Sequence, residues 1–133
     1  MEDPPGEGRS LSTSLFIYGT LLPGESNHPL LAAARPLGPA WTPPEYELLD
    51  LDGFPALVAG GRSRVAGELF AVDARTLAAV DELEDHPRYY RRTWIALERG
   101  RRAFAYLLPR SLAAGWPRIP GGDWRAHTRR CGT

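Results

Sequence analysis

Residues 80 to 92 concentrate groups that could move protons: Val80-Asp81-Glu82-Leu83-Glu84-Asp85-His86-Pro87-Arg88-Tyr89-Tyr90-Arg91-Arg92. Four acids crowd the end of an apolar-periodic run, and a histidine, a proline, two tyrosines and three arginines follow. Acids in the last turn of a helix oppose its dipole, which favours cations there. Local conflicts of this kind are where functional sites are expected. Glu84 lies one residue past Leu83 and four past Val80, at the edge of the face that Leu77, Val80 and Leu83 would bury. A carboxylate partly shielded from water has a raised pKa, which suits general acid/base work near neutral pH. The plain alternative is a solvated helix-end acid paired with Arg88, Arg91 or Arg92. Asp81, Glu82 and Asp85 read as solvent-facing acids or arginine partners.

A second constellation is Tyr18-Gly19-Thr20-Leu21-Leu22, followed by Pro23-Gly24. A strand ends here, and Gly19 would let the backbone approach a ligand closely. Consecutive backbone N–H groups in such a turn can cradle a carboxylate or an oxyanion. From this stretch alone an ordinary turn between strand and helix is the simpler reading. It is not a nucleotide loop, because neither GxGxxG nor GxxxxGK[ST] occurs. All 16 cations are arginine, so Schiff-base and P-loop lysine chemistry is excluded. His28, His86 and His127 are scattered, without HExxH or Cys/His spacing, and imply no metal site and no cofactor. His86 could tune Glu84 or simply face solvent. The four tryptophans read as packing, and Cys131, two residues from the C-terminus, reads as neither nucleophile nor disulfide partner.

These groups need elements to hold them. Ser14-Leu15-Phe16-Ile17-Tyr18 reads as a buried strand. Asn27 as N-cap and Pro29 early in the element suggest a helix through Leu30-Leu31-Ala32-Ala33-Ala34, stopping before Pro36. Repeated prolines over 36–44 allow an edge strand or loop. Strand-like runs over 46–51 and 54–59 flank the Asp52-Gly53 turn, and 64–72 alternates as a long strand. Asp73 caps a helix that Pro87 ends. Runs over 92–98 and 102–108 flank Gly100 as a hairpin. The tail reads mostly as loop, with a helical turn starting at Asp123. Five or six strands with two helices imply an α+β domain: a small mixed β-barrel or strongly curved sheet with flanking short helices. The boundaries expected are a disordered leader over 1–12, the domain over 13–127 and a flexible tail over 128–133.

The composition, 43% hydrophobic and 24% charged with no net charge, is that of a single globular domain. Residues 1–85 hold 14 acids and 5 arginines, whereas residues 86–133 hold 11 arginines and 2 acids. The arginines alternate with apolar residues, so the halves are expected to interleave and neutralise each other; a nucleic-acid partner is not expected. There is no apolar run near 18 residues and no secretory pattern at the start, so neither a membrane partner nor export is expected, and the protein is placed in the cytoplasm.

Taken in order, Tyr18-Gly19-Thr20-Leu21, Gly53-Phe54-Pro55-Ala56-Leu57, Val65-Ala66-Gly67-Glu68-Leu69-Phe70, residues 81–92 and Ala105-Tyr106 resemble the gamma-glutamylcyclotransferase-like family. The resemblance spans residues 14 to 125 and is nearest the gamma-glutamylamine-cyclotransferase type. That type's pattern Asp-x-x-Glu-x-x-Pro-x-x-Tyr-x-Arg is filled by Asp81, Glu84, Pro87, Tyr90 and Arg92. The resemblance implies a small β-barrel with flanking helices and a small gamma-glutamyl compound as substrate. It implies Glu84 as catalytic acid/base, a substrate-binding loop of Tyr18, Gly19, Thr20 and Leu21, and a contribution from Tyr90. Walls selecting the leaving amine are expected within 41–62 and 108–124. Two other readings remain: a module on the same fold that binds a small carboxylate or amino acid without turnover, and nucleic-acid binding through the arginine-rich half. No oligomer is implied.

Overall fold

Leu15, Phe16 and Ile17 are all buried, so the strand they form must be covered on both faces. In the computed structural model, which describes residues 12–132, this strand (β1, Thr13–Ile17) lies inside a mixed sheet of seven strands. Apart from Ser12, the expected leader lies outside the described residues. The other strands are β2 (Arg35–Trp41), β3 (Tyr46–Asp50), β4 (Pro55–Ala59), β5 (Ala66–Val72), β6 (Arg91–Ala96) and β7 (Arg102–Leu107), more than the five or six expected. β1 runs antiparallel to β5, from Thr13 opposite Val72 to Ile17 opposite Glu68. β2 lies at the sheet edge beside β5, the place in a sheet where prolines such as Pro36 and Pro39 are tolerated. β3 and β4 form an antiparallel hairpin, as do β6 and β7.

The strand that organises the site is β7. One of its edges is taken along its whole length by β6. Its other edge is shared: β1 pairs in parallel at Phe104, and β4 pairs in parallel at Leu107. β1 and β4 therefore part along β7. Tyr18, directly after β1, fills the fork. Its hydroxyl donates to the Tyr106 carbonyl at 2.5 Å and accepts from the Leu57 N–H at 3.3 Å.

The sheet does not close into a barrel. Its last strands, β2 and β3, do not pair with each other. The outer edge of β3 is instead covered by the 117–119 segment: the Asp50 N–H donates to the Pro117 carbonyl at 2.9 Å and the Ile119 N–H to the Leu48 carbonyl at 2.8 Å. The other form expected, a curved sheet with short helices, is the one adopted. Each face carries a core, as the two-residue period of the strands requires. Leu15, Ile17, Val58, Phe70 and Val72 share one with Val80 of helix α1 (Ala74–Leu83). Phe16, Leu48, Leu57, Leu69 and Ile95 share the other with Ile119 and Trp124.

Asp73 caps α1, its carboxylate accepting from the Thr76 N–H at 2.8 Å. Asp73→Ala should lower the melting temperature by about 4 °C, read by circular dichroism, since a lost cap frees an N–H at the helix start. The helix expected after Asn27 is a single 3-10 turn, His28–Leu31. Asn27 does not cap it; its side-chain amide donates to the Thr20 hydroxyl at 2.8 Å instead. A four-residue helix, α2 (Arg110–Ala113), precedes the tail.

The tail holds more helix than its sequence suggests: α3 covers Trp124–Gly132 and runs into the residues assigned to the tail beyond 127. Asp123 accepts from the Ala126 N–H at 3.0 Å. Distant partners fix the rest: Trp124 Nε1 donates to Glu25 at 3.1 Å, Arg125 pairs with Glu68 at 2.9 Å and His127 donates to Asp50 at 2.9 Å. Arg125–Glu68, Arg64–Glu98 and Arg92–Asp81 are ion pairs that each join a residue of 1–85 to a residue of 86–133, as interleaving requires. Among the described residues no helix is long and apolar enough to cross a membrane.

Candidate active site

Helix α1 ends at Leu83, and Glu84 is its C-cap, its N–H donating to the Val80 carbonyl at 2.9 Å. Asp85 then adopts a left-handed conformation with φ 56°. The chain turns back, with the Tyr89 N–H on the Asp85 carbonyl at 2.9 Å and the Tyr90 N–H on the Glu84 carbonyl at 3.4 Å. This returns Tyr90 to the neighbourhood of Glu84 and sends its hydroxyl to the Pro55 carbonyl, 2.8 Å away. Pro55 opens β4, on the far side of the fork.

These segments enclose a cavity of about 450 Å³. Its walls come from 18–21, 53–55, 83–85, Tyr89, Tyr90 and Tyr106. Tyr18, Gly19, Thr20, Leu21, Glu84 and Tyr90, singled out in the sequence, are thus brought together at one cavity. Of the walls expected to select a leaving group, 53–55 contribute from the first stretch, whereas 108–124 contribute no lining residue. Among the described residues no three His, Cys, Asp or Glu side chains converge as metal ligands would.

Glu84 is half-buried, and among the described residues its carboxyl has no hydrogen bond or ion pair to offset the loss of water. Burial pushes it up to about 7. Burial likewise raises the Tyr90 and Tyr106 phenols above their ordinary value, and Tyr18 well above it. All three stay protonated at neutral pH. The loop at 18–21 is held by Leu22 N–H donating to the Gly19 carbonyl at 3.0 Å and Asn27 N–H donating to the Thr20 carbonyl at 2.8 Å. No protein acceptor is found among the described residues for the Thr20 and Leu21 N–H groups.

Gly19 is needed for a different close approach than the one its sequence suggests. A Cβ there would sit 2.5 Å from Pro55 Cγ and 2.9 Å from Pro55 Cδ. The loop is packed against a proline ring whose carbonyl anchors Tyr90. Gly19→Ala should cost on the order of 2 kcal/mol in chemical denaturation, the usual scale for overpacking.

Several site residues are not picked out by the sequence. Leu83, expected within the buried row of α1, is 43% exposed and lines the cavity together with Phe54 and Tyr89. Asp81 is an arginine partner, of Arg92, but it also accepts from the Tyr106 hydroxyl at 2.6 Å. Its position three residues before Glu84, on the same side of the helix, is the available signal. His86 is not among the cavity-lining residues; its Nδ1 accepts from the Arg92 N–H at 2.9 Å, which fixes that nitrogen as unprotonated. Asp85 pairs with Arg88 at 3.1 Å on the surface.

A carboxyl titrating near neutrality, inside a small cavity walled by phenols and a turn with open N–H groups, is suited to acid/base chemistry on a small molecule. Comparison with known proteins narrows this class. Residues 15–126 match the family described as gamma-glutamyl cyclotransferase, AIG2-like, and the chain belongs to that family of gamma-glutamylcyclotransferase-like enzymes. A Vibrio cholerae protein, named provisionally as a gamma-glutamylcyclotransferase, is 44% identical over 110 residues, covering 83% of this chain and 93% of its own. Human gamma-glutamylaminecyclotransferase is 33% identical over 93 residues, covering 63% of this chain and 61% of its own. A crystal structure from Pyrococcus horikoshii superposes with a TM-score of 0.75 at 26% identity, covering 91% of this chain and 97% of that one.

Proposed function

We propose that the protein releases 5-oxoproline and a free amine from a gamma-glutamyl amine or peptide, with Glu84 as the general acid/base. The observation that carries this is the position of Glu84: a carboxyl pushed up to about 7, in the same cavity as the open turn at 18–21.

The substrate brings its own nucleophile. Its α-amino group is mostly protonated at neutral pH, so a base is required. Glu84 takes one proton from the α-ammonium, and the freed amine attacks the γ-carbonyl carbon, closing a five-membered ring. The negative charge that develops on the carbonyl oxygen needs donors. The N–H groups of Thr20 and Leu21 suit either that oxyanion or the α-carboxylate. Glu84, now protonated, returns the proton to the departing nitrogen, the bond between the γ-carbon and that nitrogen breaks, and the ring nitrogen gives up its second proton to the regenerated Glu84 carboxylate or to water, leaving the neutral lactam. Holding amine and carbonyl in contact supplies a large share of the acceleration, so neither a protein nucleophile nor a cofactor is needed. Gly19 keeps the turn against Pro55, and Tyr90 ties Pro55 to the chain that follows Glu84.

The test is a panel of gamma-glutamyl amines and dipeptides incubated with the protein, with 5-oxoproline measured. Release from at least one of them is expected. Thermal stabilisation by the panel without any 5-oxoproline would favour a binding module on the same fold instead.

A further inference from the structure

Where the phenol protons around Glu84 go decides what the cavity can recognise. Each phenol has one proton to give. Tyr18 donates its own to the Tyr106 carbonyl and also accepts from the Leu57 N–H, so its hydroxyl is used up within the sheet. Tyr90 donates to the Pro55 carbonyl at 2.8 Å. Tyr106 donates to one oxygen of Asp81 at 2.6 Å, and the other oxygen of Asp81 holds the Arg92 guanidinium. Arg92 cannot lose its proton and Asp81 accepts from both sides, so the Tyr106 proton has a fixed destination. Tyr90 and Tyr106 both line the cavity with Glu84. With their protons committed elsewhere, both hydroxyls have only oxygen lone pairs left to offer a ligand.

We propose that Tyr90 and Tyr106, with Glu84, form an acceptor-only wall that selects a ligand's ammonium group, and that Asp81 is the positioning residue that keeps the Tyr106 proton turned away from the cavity. An ammonium has three N–H donors and no acceptor. A carboxylate in the same place would meet lone pairs alone. The open N–H groups of the 18–21 turn and the acceptor wall thus give the cavity two chemically opposite parts, as an α-amino acid head group requires. The inference rests on the proposed function only for the identity of that ligand.

Two probes separate the ammonium from everything else: gamma-glutamyl ethylamide, and glutaric acid monoethylamide, which is the same molecule without the α-amino group. Their dissociation constants are measured by calorimetry on full-length Glu84→Gln protein, which slows turnover of gamma-glutamyl ethylamide and leaves Tyr90, Tyr106 and Asp81 in place. Tyr106→Phe in that background removes the hydroxyl and keeps the ring. It should weaken gamma-glutamyl ethylamide by about 10-fold or more, the scale of a hydrogen bond to a charged group, and change the des-amino probe by less than about 2-fold. Asp81→Asn should also narrow the preference for the ammonium ligand, and should add nothing when combined with Tyr106→Phe. Equal weakening of both probes by Tyr106→Phe, or no change in either, would overturn the inference. So would an Asp81→Asn effect that persists when Tyr106→Phe is already present. Failure of both probes to bind would overturn it too. The proposed function is judged separately, by whether the wild-type protein releases 5-oxoproline from gamma-glutamyl ethylamide or another member of the panel.

Discussion

Glu84→Gln is expected to lower 5-oxoproline release from a gamma-glutamyl amine by ~10²- to 10⁴-fold, the span attributed to a positioned acid/base group. Glutamine matches glutamate in shape, so the end of α1 and the return through Tyr89 and Tyr90 have no steric reason to change. What the proposed mechanism loses is a group that accepts a proton from one nitrogen and returns it to another. Without it, the bound amine stays protonated and the leaving nitrogen departs unprotonated. Intramolecular orientation and the N–H groups of the 18–21 turn survive, so the residual rate should exceed the rate in buffer. The loss should fall on kcat more than on KM, because proton transfer matters most in the transition state. Glu84→Asp should sit between the two, since it keeps the carboxyl but on a side chain one methylene shorter. Full activity in Glu84→Gln would move the base elsewhere and leave Glu84 as a buried acid without a chemical role.

How much of this can be read from the chain depends on where each residue's partners lie. The position of Glu84 is legible because Leu77 and Val80, within one helix, set the buried face that it borders. Leu83 is misplaced for the same reason: periodicity marks it as apolar, but it cannot show that the last helical residue faces a cavity instead of the core. The turn at 18–21 is legible from Gly19 and the Pro23-Gly24 pair. The reason for Gly19 is not, because Pro55 meets it only after β4 is laid along β7. Asp81 reads as a solvent-facing acid or an arginine partner, and its second contact is hidden because Tyr106 comes from a distant strand. The open form of the sheet turns on a similar distance effect. Closure would require β2 and β3 to meet, and residues 117–119, from a proline-rich stretch without strand character, cover β3 first. Helix α3 is likewise held by Glu25, Asp50 and Glu68, none of which its own sequence announces.

A raised carboxyl leaves a signature in both stability and rate, and the two signs are opposite. Folding moves the Glu84 carboxyl from its ordinary 4.5 to about 7. Between those values the folded protein holds a proton that the unfolded chain has released. Stability therefore falls as pH rises. The favourable contribution is complete below about 4.5 and is lost as pH passes through about 7. Its size is about 1–3 kcal/mol, reduced from the full linkage value because the carboxyl is only half-buried and faces an open cavity. Glu84→Gln removes this slope. The variant should thus gain stability over the wild type steadily between about pH 5 and pH 8, read from urea midpoints at each pH, even as its activity collapses. The rate runs the other way. Only the carboxylate can take the substrate's proton, so kcat/KM should rise with pH along a limb centred near 7, the value for the free protein. A bound ammonium beside Glu84 stabilises the carboxylate, so the corresponding limb in kcat should lie at lower pH. A limb in kcat/KM centred near the ordinary 4.5, or a stability profile unchanged by Glu84→Gln, would mean that the carboxyl is solvated and that the cavity does not hold its proton.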